Sequence, residues 1–444
     1  MVLSGDALAT RASAIGFFVL FPGFILYHTL VAMGLIPAFL GGLFGVVSVV
    51  MFVIYCALLP SQLYVLLAST RGYALVTLGF FAYVLLWAMA NYGLVGGSVM
   101  RVALVQTIET LVLWMVLFVM GYRVPLTSPR LARAFWIAFA LIAGYLLFHV
   151  ATTGQWSFFA SRMIEVETDE NVSTYQGYAR SALVVLVFLI AVSQRAMVRA
   201  ALIVLGAFVM FMLGARSELY AFLGLSLVLL TLWAGLSVKY LLTLLAVVAV
   251  LIALVMSQFE SLAGSRQLQV FDLTGNSSWL ARQNLGQRAV EQILANPLLG
   301  RFGGHIGSSE LAGSYAHSMI SAWVNYGLLG FVLYVGLTAV AFLGSAYRMF
   351  AGGDRAAWWV FAFSTNFVCL LLIALAKPVF WPLPALGWGA FANALVAARQ
   401  ERDDDATRQA GAGHDEPGQR DAAEDLQGRN DNESGSPDLS PSAL

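Results

Sequence analysis

Long apolar runs separated by short polar punctuation dominate the chain. Runs almost free of charge occupy roughly 14–34, 37–59, 73–94, 102–122, 132–152, 179–193, 199–214, 218–235, 240–258, 317–344, 356–376 and 379–398. A helix of about 20 apolar residues crosses ~30 Å of hydrocarbon. The pattern therefore predicts an all-α, polytopic membrane protein of about twelve transmembrane helices. Pro22, Pro37, Pro60, Pro125 and Pro378 lie in or beside these runs, where a bilayer helix tolerates them. The first run follows Asp6 and Arg11 and has no small-x-small cleavage site, so it reads as a retained helix.

Composition strengthens this reading. Of 444 residues, 60% are hydrophobic and 11% charged, against about 25% charged in soluble domains. That excludes an ordinary cytosolic enzyme, a nucleic-acid-binding protein and a disordered chain. Cys56 and Cys369 sit within apolar runs and are expected to be buried thiols. The zero net charge is a cancellation: residues 399–444 carry 5 basic and 12 acidic residues, with a single Leu between Arg402 and Asp438. This segment reads as a disordered acidic tail, and residues 1–398 as a basic membrane domain.

Basic residues in short loops set orientation. With the N-terminus inside, twelve basic residues fall on the inner face and nine on the outer. Five of those nine sit in the two long non-apolar segments, about 153–178 and 259–316, where the rule has little weight. Both termini are then cytoplasmic and both long segments face outward. ATP and sugar nucleotides are absent there, so an enzyme on that face needs a substrate already activated and carried by lipid. The membrane domain has no P-loop, and its histidines show no metal-binding spacing, so no metal or cofactor is expected. No internal repeat points to a transporter.

Within the larger outer segment, Ser277 or Ser278 can cap a helix that Pro297 ends. On a helical wheel Arg282 aligns with Leu285, Ala289 and Ile293 and points inward, whereas Arg288 lies off that stripe with Glu291 three residues on. An inward arginine grips a phosphate or snorkels. Arg216 occupies a tight outer turn, where it either pairs with Glu218 or joins a site. Gly300, Gly303, Gly304 and Gly307 surround Arg301 and His305 in a turn that could offer backbone N–H groups to an anion or serve only as a bend. His317 opens the next run. The positive end of a helix dipole keeps its imidazole neutral, as a general base requires; an interfacial histidine is the plainer account. Glu165, Glu167, Asp169 and Glu170 read as a solvated acidic loop. Trp279 and Tyr315 could stack on sugars or belong to an interfacial belt.

Taken in order, Gly214-Ala-Arg-Ser217, the stretch from Arg282 to Gly300, and the stretch from His317 to Gly330 resemble the O-antigen polymerase and O-antigen ligase superfamily. The resemblance covers about 40 residues. Ser318 stands where ligases commonly carry Asn, and Glu218 stands where small residues are usual. The resemblance implies a GT-C-like fold in the bacterial inner membrane and a periplasmic active site. It also implies metal-independent transfer of an oligosaccharide from undecaprenyl pyrophosphate to an acceptor hydroxyl. Arg216 and Arg282 would hold the pyrophosphate and His317 would activate the acceptor. Arg288, Arg301, His305, Tyr315 and Trp279 would contact substrate. Membrane lipids and a chain-length regulator or flippase of the same pathway are the implied partners. Polymerase is favoured over ligase or protein oligosaccharyltransferase, because one moderate loop replaces an extra acceptor domain. A lipid-oligosaccharide flippase is the competing class, although Glu109 is the main ionisable residue within the spans.

Overall fold

The computed structural model describes residues 5–33, 35–37, 43–70, 72–156, 175–234, 242, 277–306 and 316–412. Among them every regular element is helical. In chain order these are α1 (Gly5–Phe18), a π-turn (Val19–Gly23), α2 (Phe24–Ala32), α3 (Leu43–Ser69), α4 (Tyr73–Val95) and α5 (Gly97–Arg123). Then come α6 (Pro129–Thr153), α7 (Tyr175–Val192), α8 (Ala196–Met212), α9 (Arg216–Ala234) and α10 (Ser277–Ala295). The last three are α11 (Ile320–Phe350), α12 (Ala357–Leu375) and α13 (Leu383–Ala412).

Seven described helices or helix runs are long and apolar enough to cross a membrane, or eight if the bent pair Leu43–Leu58 and Leu63–Ser69 is one span. Eleven of the twelve expected runs coincide with helix, but not all meet the requirements of a span. Helices α7 and α8 are short, and Pro384, two glycines and Asn393 dilute α13. The expected span at 240–258 lies outside the described residues. Pro22 sits in the π-turn that joins α1 to α2, where the missing N–H is accommodated by a widened turn.

The chain divides into two compact units, Met1–Leu395 and Val396–Leu444. In the second, helix is described to Ala412, and the rest of the acidic tail lies outside the described residues. Arg399 faces Asp403 one turn on, which supports the extension. In the first unit the interior is aromatic. Phe80, Phe81, Trp114, Tyr334 and Trp388 form one continuous packed group, with Phe80 and Trp114 centroids 5.3 Å apart. The Trp388 indole donates to Thr338 Oγ1 at 3.0 Å, satisfying a polar edge inside this apolar cluster. Helices α5 and α13 touch backbone to backbone at Gly121 and Gly389. A Cβ at Gly121 would lie 2.4 Å from the Leu386 carbonyl oxygen, a close approach only small residues allow. Of the two cysteines expected to be buried, the structure buries Cys369 and leaves Cys56 exposed.

Candidate functional site

Helix α11 is broken near its start. Gly327 has φ 67° and ψ −176°, far from helical values, a conformation that suits glycine. The carbonyls beside the break accept from outside the helix. Arg301 N–H donates to Val324 O at 2.6 Å, the Trp87 indole to Asn325 O at 2.9 Å, and the Tyr83 hydroxyl to Tyr326 O at 2.7 Å. On the other side Leu328 N–H donates to Leu298 O at 3.0 Å, and the Trp323 indole to Pro297 O at 2.7 Å. Irregular backbone in an apolar bundle needs such partners, since no water is at hand to replace them.

This arrangement explains the glycine-rich turn. A Cβ at Gly300 would meet Trp323 O at 2.4 Å, and one at Gly327 would meet Leu298 O at 2.6 Å. The N–H groups of Gly300, Arg301, Gly304 and Ile306 all go to protein carbonyls. The turn is therefore an anchored bend on the broken helix, and these four amides are not offered to an anion.

His317 lies half-buried just before α11. Two bonds lock its neighbours to the end of α12 and the following turn: Met319 N–H donates to Ile373 O, and Val379 N–H to Ser321 Oγ at 2.7 Å. That turn carries Lys377, which is only 6% exposed. Its ammonium sits 2.6 Å from Glu218 Oε1 and donates to Gln176 Oε1 at 3.3 Å. Glu218 is fully buried in the first turn of α9, where the helix dipole favours a carboxylate. Ser217 Oγ donates to its other oxygen at 2.7 Å, and Arg180 on α7 is within electrostatic reach. Arg216, half-buried, starts the same helix two residues earlier.

Helix α10 spans Ser277–Ala295, ending just ahead of Pro297 as the sequence suggests. Ala289 and Ile293 are buried with Ala316 and Val324, so the expected inward stripe does face α11. Arg282, on that stripe, is half-buried and close enough to act on His317. The imidazole is held below its ordinary basicity, first by burial and then by the positive charges of Arg282 and Lys377. It is therefore neutral near pH 7 and able to accept a proton. Arg282, His317, Lys377 and Glu218 thus belong to one cluster, with Arg216 at its edge.

A cavity of about 410 Å³ adjoins this cluster. Leu285 and Ala316 form part of its wall, one turn from Arg282 and next to His317. Arg288 and Arg301, expected as substrate contacts, both line it. The surface pairing expected between Arg288 and Glu291 is not made; Arg288 is exposed toward the cavity instead.

His305 also lines the cavity, but it is 4% exposed and its ring is fully engaged. Nδ1 lies 2.8 Å from Asn325 Oδ1 and Nε2 lies 2.7 Å from Gln106 Oε1, with the Phe380 ring against its face. Because Asn325 Nδ2 donates to Ser321 O, the Asn325 oxygen is the side facing His305 and Nδ1 carries the proton; Nε2 of the neutral ring is then an acceptor, which requires the Gln106 amide to turn its NH2 toward it. Burial pushes this imidazole down to about 4. It links α5 and α11 through Gln106 and Asn325 and forms part of the cavity wall.

The Trp279 side chain, Tyr315 and the acidic loop with Glu165 lie outside the described residues. Among the described residues no group of three His, Cys, Asp or Glu side chains is placed to hold a metal. Sequence reasoning missed Lys377, Gln176 and Arg180 as members of the cluster; it offered Arg216 as one possible partner of Glu218, and the structure adds Lys377 as a partner. The one available signal was Lys377 itself, a lone cation between two long apolar runs. No protein-family model matches the chain, and no curated protein matches it by sequence.

Proposed function

We propose that the chain is a metal-independent membrane glycosyltransferase that polymerises lipid-linked oligosaccharide repeats. In this reading it is a GT-C-like protein of about twelve spans in a bacterial inner membrane. Both termini are cytoplasmic, and the site faces the periplasm. The donor is an oligosaccharide on undecaprenyl pyrophosphate and the acceptor a sugar hydroxyl of a second lipid-linked chain. The observation that supports it is a half-buried imidazole beside two cations, Arg282 and Lys377, one of them held by a buried carboxylate.

Such a cluster suits one reaction well. Neutral His317 takes the proton of the acceptor hydroxyl as its oxygen attacks the anomeric carbon of the donor. The bond from that carbon to the diphosphate oxygen breaks, and the charge gathering on the leaving group is met by Arg282, Lys377 and Arg216. Glu218 keeps Lys377 in place without neutralising the cluster as a whole.

Deletion of the gene followed by gel analysis of surface glycans tests the proposal. Single-repeat capping supports polymerisation. Free long polymer indicates a ligase, and loss of all exported material a flippase. Arg282→Ala and His317→Ala should abolish chain extension at unchanged protein level and unchanged export of single repeats.

A further inference from the structure

The cavity between α10, α5 and the 297–306 turn is not needed for the diphosphate, whose charge the His317 cluster already meets. Its walls have a distinct chemistry. Among the described residues Arg288 and Arg301 are its charged lining residues, and no described carboxylate lines it. His305 adds no charge, since its ring is neutral and bonded to Gln106 and Asn325. The polar groups nearby are largely spent: Gln292 donates to Gly304 O and Asn325 to Ser321 O. Val99, Met100, Ala289 and Phe302 supply apolar surface of the kind that packs on a sugar ring. The volume of about 410 Å³ falls within the ~300–1,000 Å³ typical of small-ligand sites. Ala316 places one wall beside His317, where the polymerisation reading requires the acceptor.

We infer that this cavity is the acceptor subsite and that it selects a glycan bearing a carboxylate, such as a uronic acid, through Arg288 and Arg301. The inference rests on the proposed transferase activity for the direction of transfer, but the binding it claims can be measured alone. Two planar guanidiniums lining one cavity, Arg288 from α10 and Arg301 from the 297–306 turn, suit charge-assisted capture of a carboxylate. The apolar floor suits a ring, which a bare phosphate would not use.

The test uses the purified full-length chain in nanodiscs and titration calorimetry. The probes are a glucuronic-acid-containing disaccharide, its carboxyl-reduced neutral counterpart and inorganic diphosphate. The acidic disaccharide should bind at least about tenfold more tightly than the neutral one, as expected for charge-assisted hydrogen bonds. Arg288→Gln with Arg301→Gln should erase that preference, and Arg282→Ala should leave it intact. Diphosphate should respond in the opposite way, weakening with Arg282→Ala and not with the double variant. Equal binding of the two disaccharides overturns the inference, as does a preference that survives the double variant. A double variant that loses diphosphate binding also overturns it, because the cavity is then a phosphate site. If the preference holds while chain extension proves absent, the polymerase reading falls and the subsite stands. If extension proceeds equally on neutral glycans with no preference in binding, the subsite falls and the polymerase reading stands.

Discussion

Replacing Glu218 with Gln removes one charge and almost no volume from the best-buried part of the cluster. Glu218 is fully buried and Lys377 nearly so, at 2.6 Å from each other. The variant leaves the Lys377 ammonium facing an amide, with Arg180 also within reach of the lost charge. Breaking a buried pair from one side costs about 3–5 kcal/mol, because the surviving charge keeps its desolvation cost without its partner. Lys377→Gln should cost less, since Arg180 still offers Glu218 a counter-charge. With both residues replaced by Gln, no carboxylate and no ammonium remains at the pair, and the total should fall below the sum of the single effects by about 1–3 kcal/mol. Denaturant titration in mixed micelles, followed by tryptophan fluorescence, measures all three. A Glu218→Gln protein within about 0.5 kcal/mol of the wild type would refute the reasoning. Strictly additive single effects would do the same.

Further outcomes follow from the same geometry. Gly327→Ala should destabilise by about 3 kcal/mol or more in the same titration. The new Cβ would lie 2.6 Å from Leu298 O, and the left-handed φ adds strain of about 1–3 kcal/mol; an unchanged midpoint would contradict this. The lowered basicity of His305 gives stability a pH dependence. The unfolded ring takes up a proton below about 6.5, whereas the folded ring resists until about 4. Stability is therefore fully present above pH 6.5 and declines as pH falls toward 4, by about 3 kcal/mol over the window. His305→Gln should flatten that slope, and an equally steep slope in the variant would count against His305 as its source. On the proposed function, chain extension should keep its activity to below pH 6.5, since His317 is held less basic than a free imidazole. In Lys377→Gln the acid limb of the residual activity should move up toward 6.5; a limb that stays put would separate Lys377 from the base.

What the sequence disclosed was whatever depends on near neighbours. The apolar runs mark the helices because burying a helix in lipid or in a bundle needs little beyond local composition. The stripe of Arg282, Leu285, Ala289 and Ile293 is equally local, a matter of 3.6-residue periodicity, and it faces α11 as that periodicity requires. The break at Gly327 is different. Tyr326-Gly327-Leu328 sits in a long, largely apolar run, and a glycine there is compatible with straight helix. The break exists because donors more than 230 residues away in sequence, Tyr83 and Trp87, meet the carbonyls beside it. The contacts of His305 were illegible for the same reason: its partner Gln106 is 199 residues away. A histidine in a glycine-rich turn looks available until that partner is placed.

The broken helix and the candidate site are one piece of architecture. Arg301 donates its backbone N–H to Val324 O beside the break, and its side chain lines the cavity. Asn325, whose carbonyl the break leaves to Trp87, also fixes the His305 ring by its side chain. A change that closed α11 into a straight helix would take back the Val324 carbonyl and the Leu328 amide. The 297–301 segment would then lose the two backbone bonds that hold it, and Arg301 would lose its place on the wall. The glycine at 327 therefore acts on chemistry without touching it. Gly327→Ala should weaken binding of an anionic sugar as well as lower stability, whereas Glu218→Gln should lower stability and disturb only the His317 side.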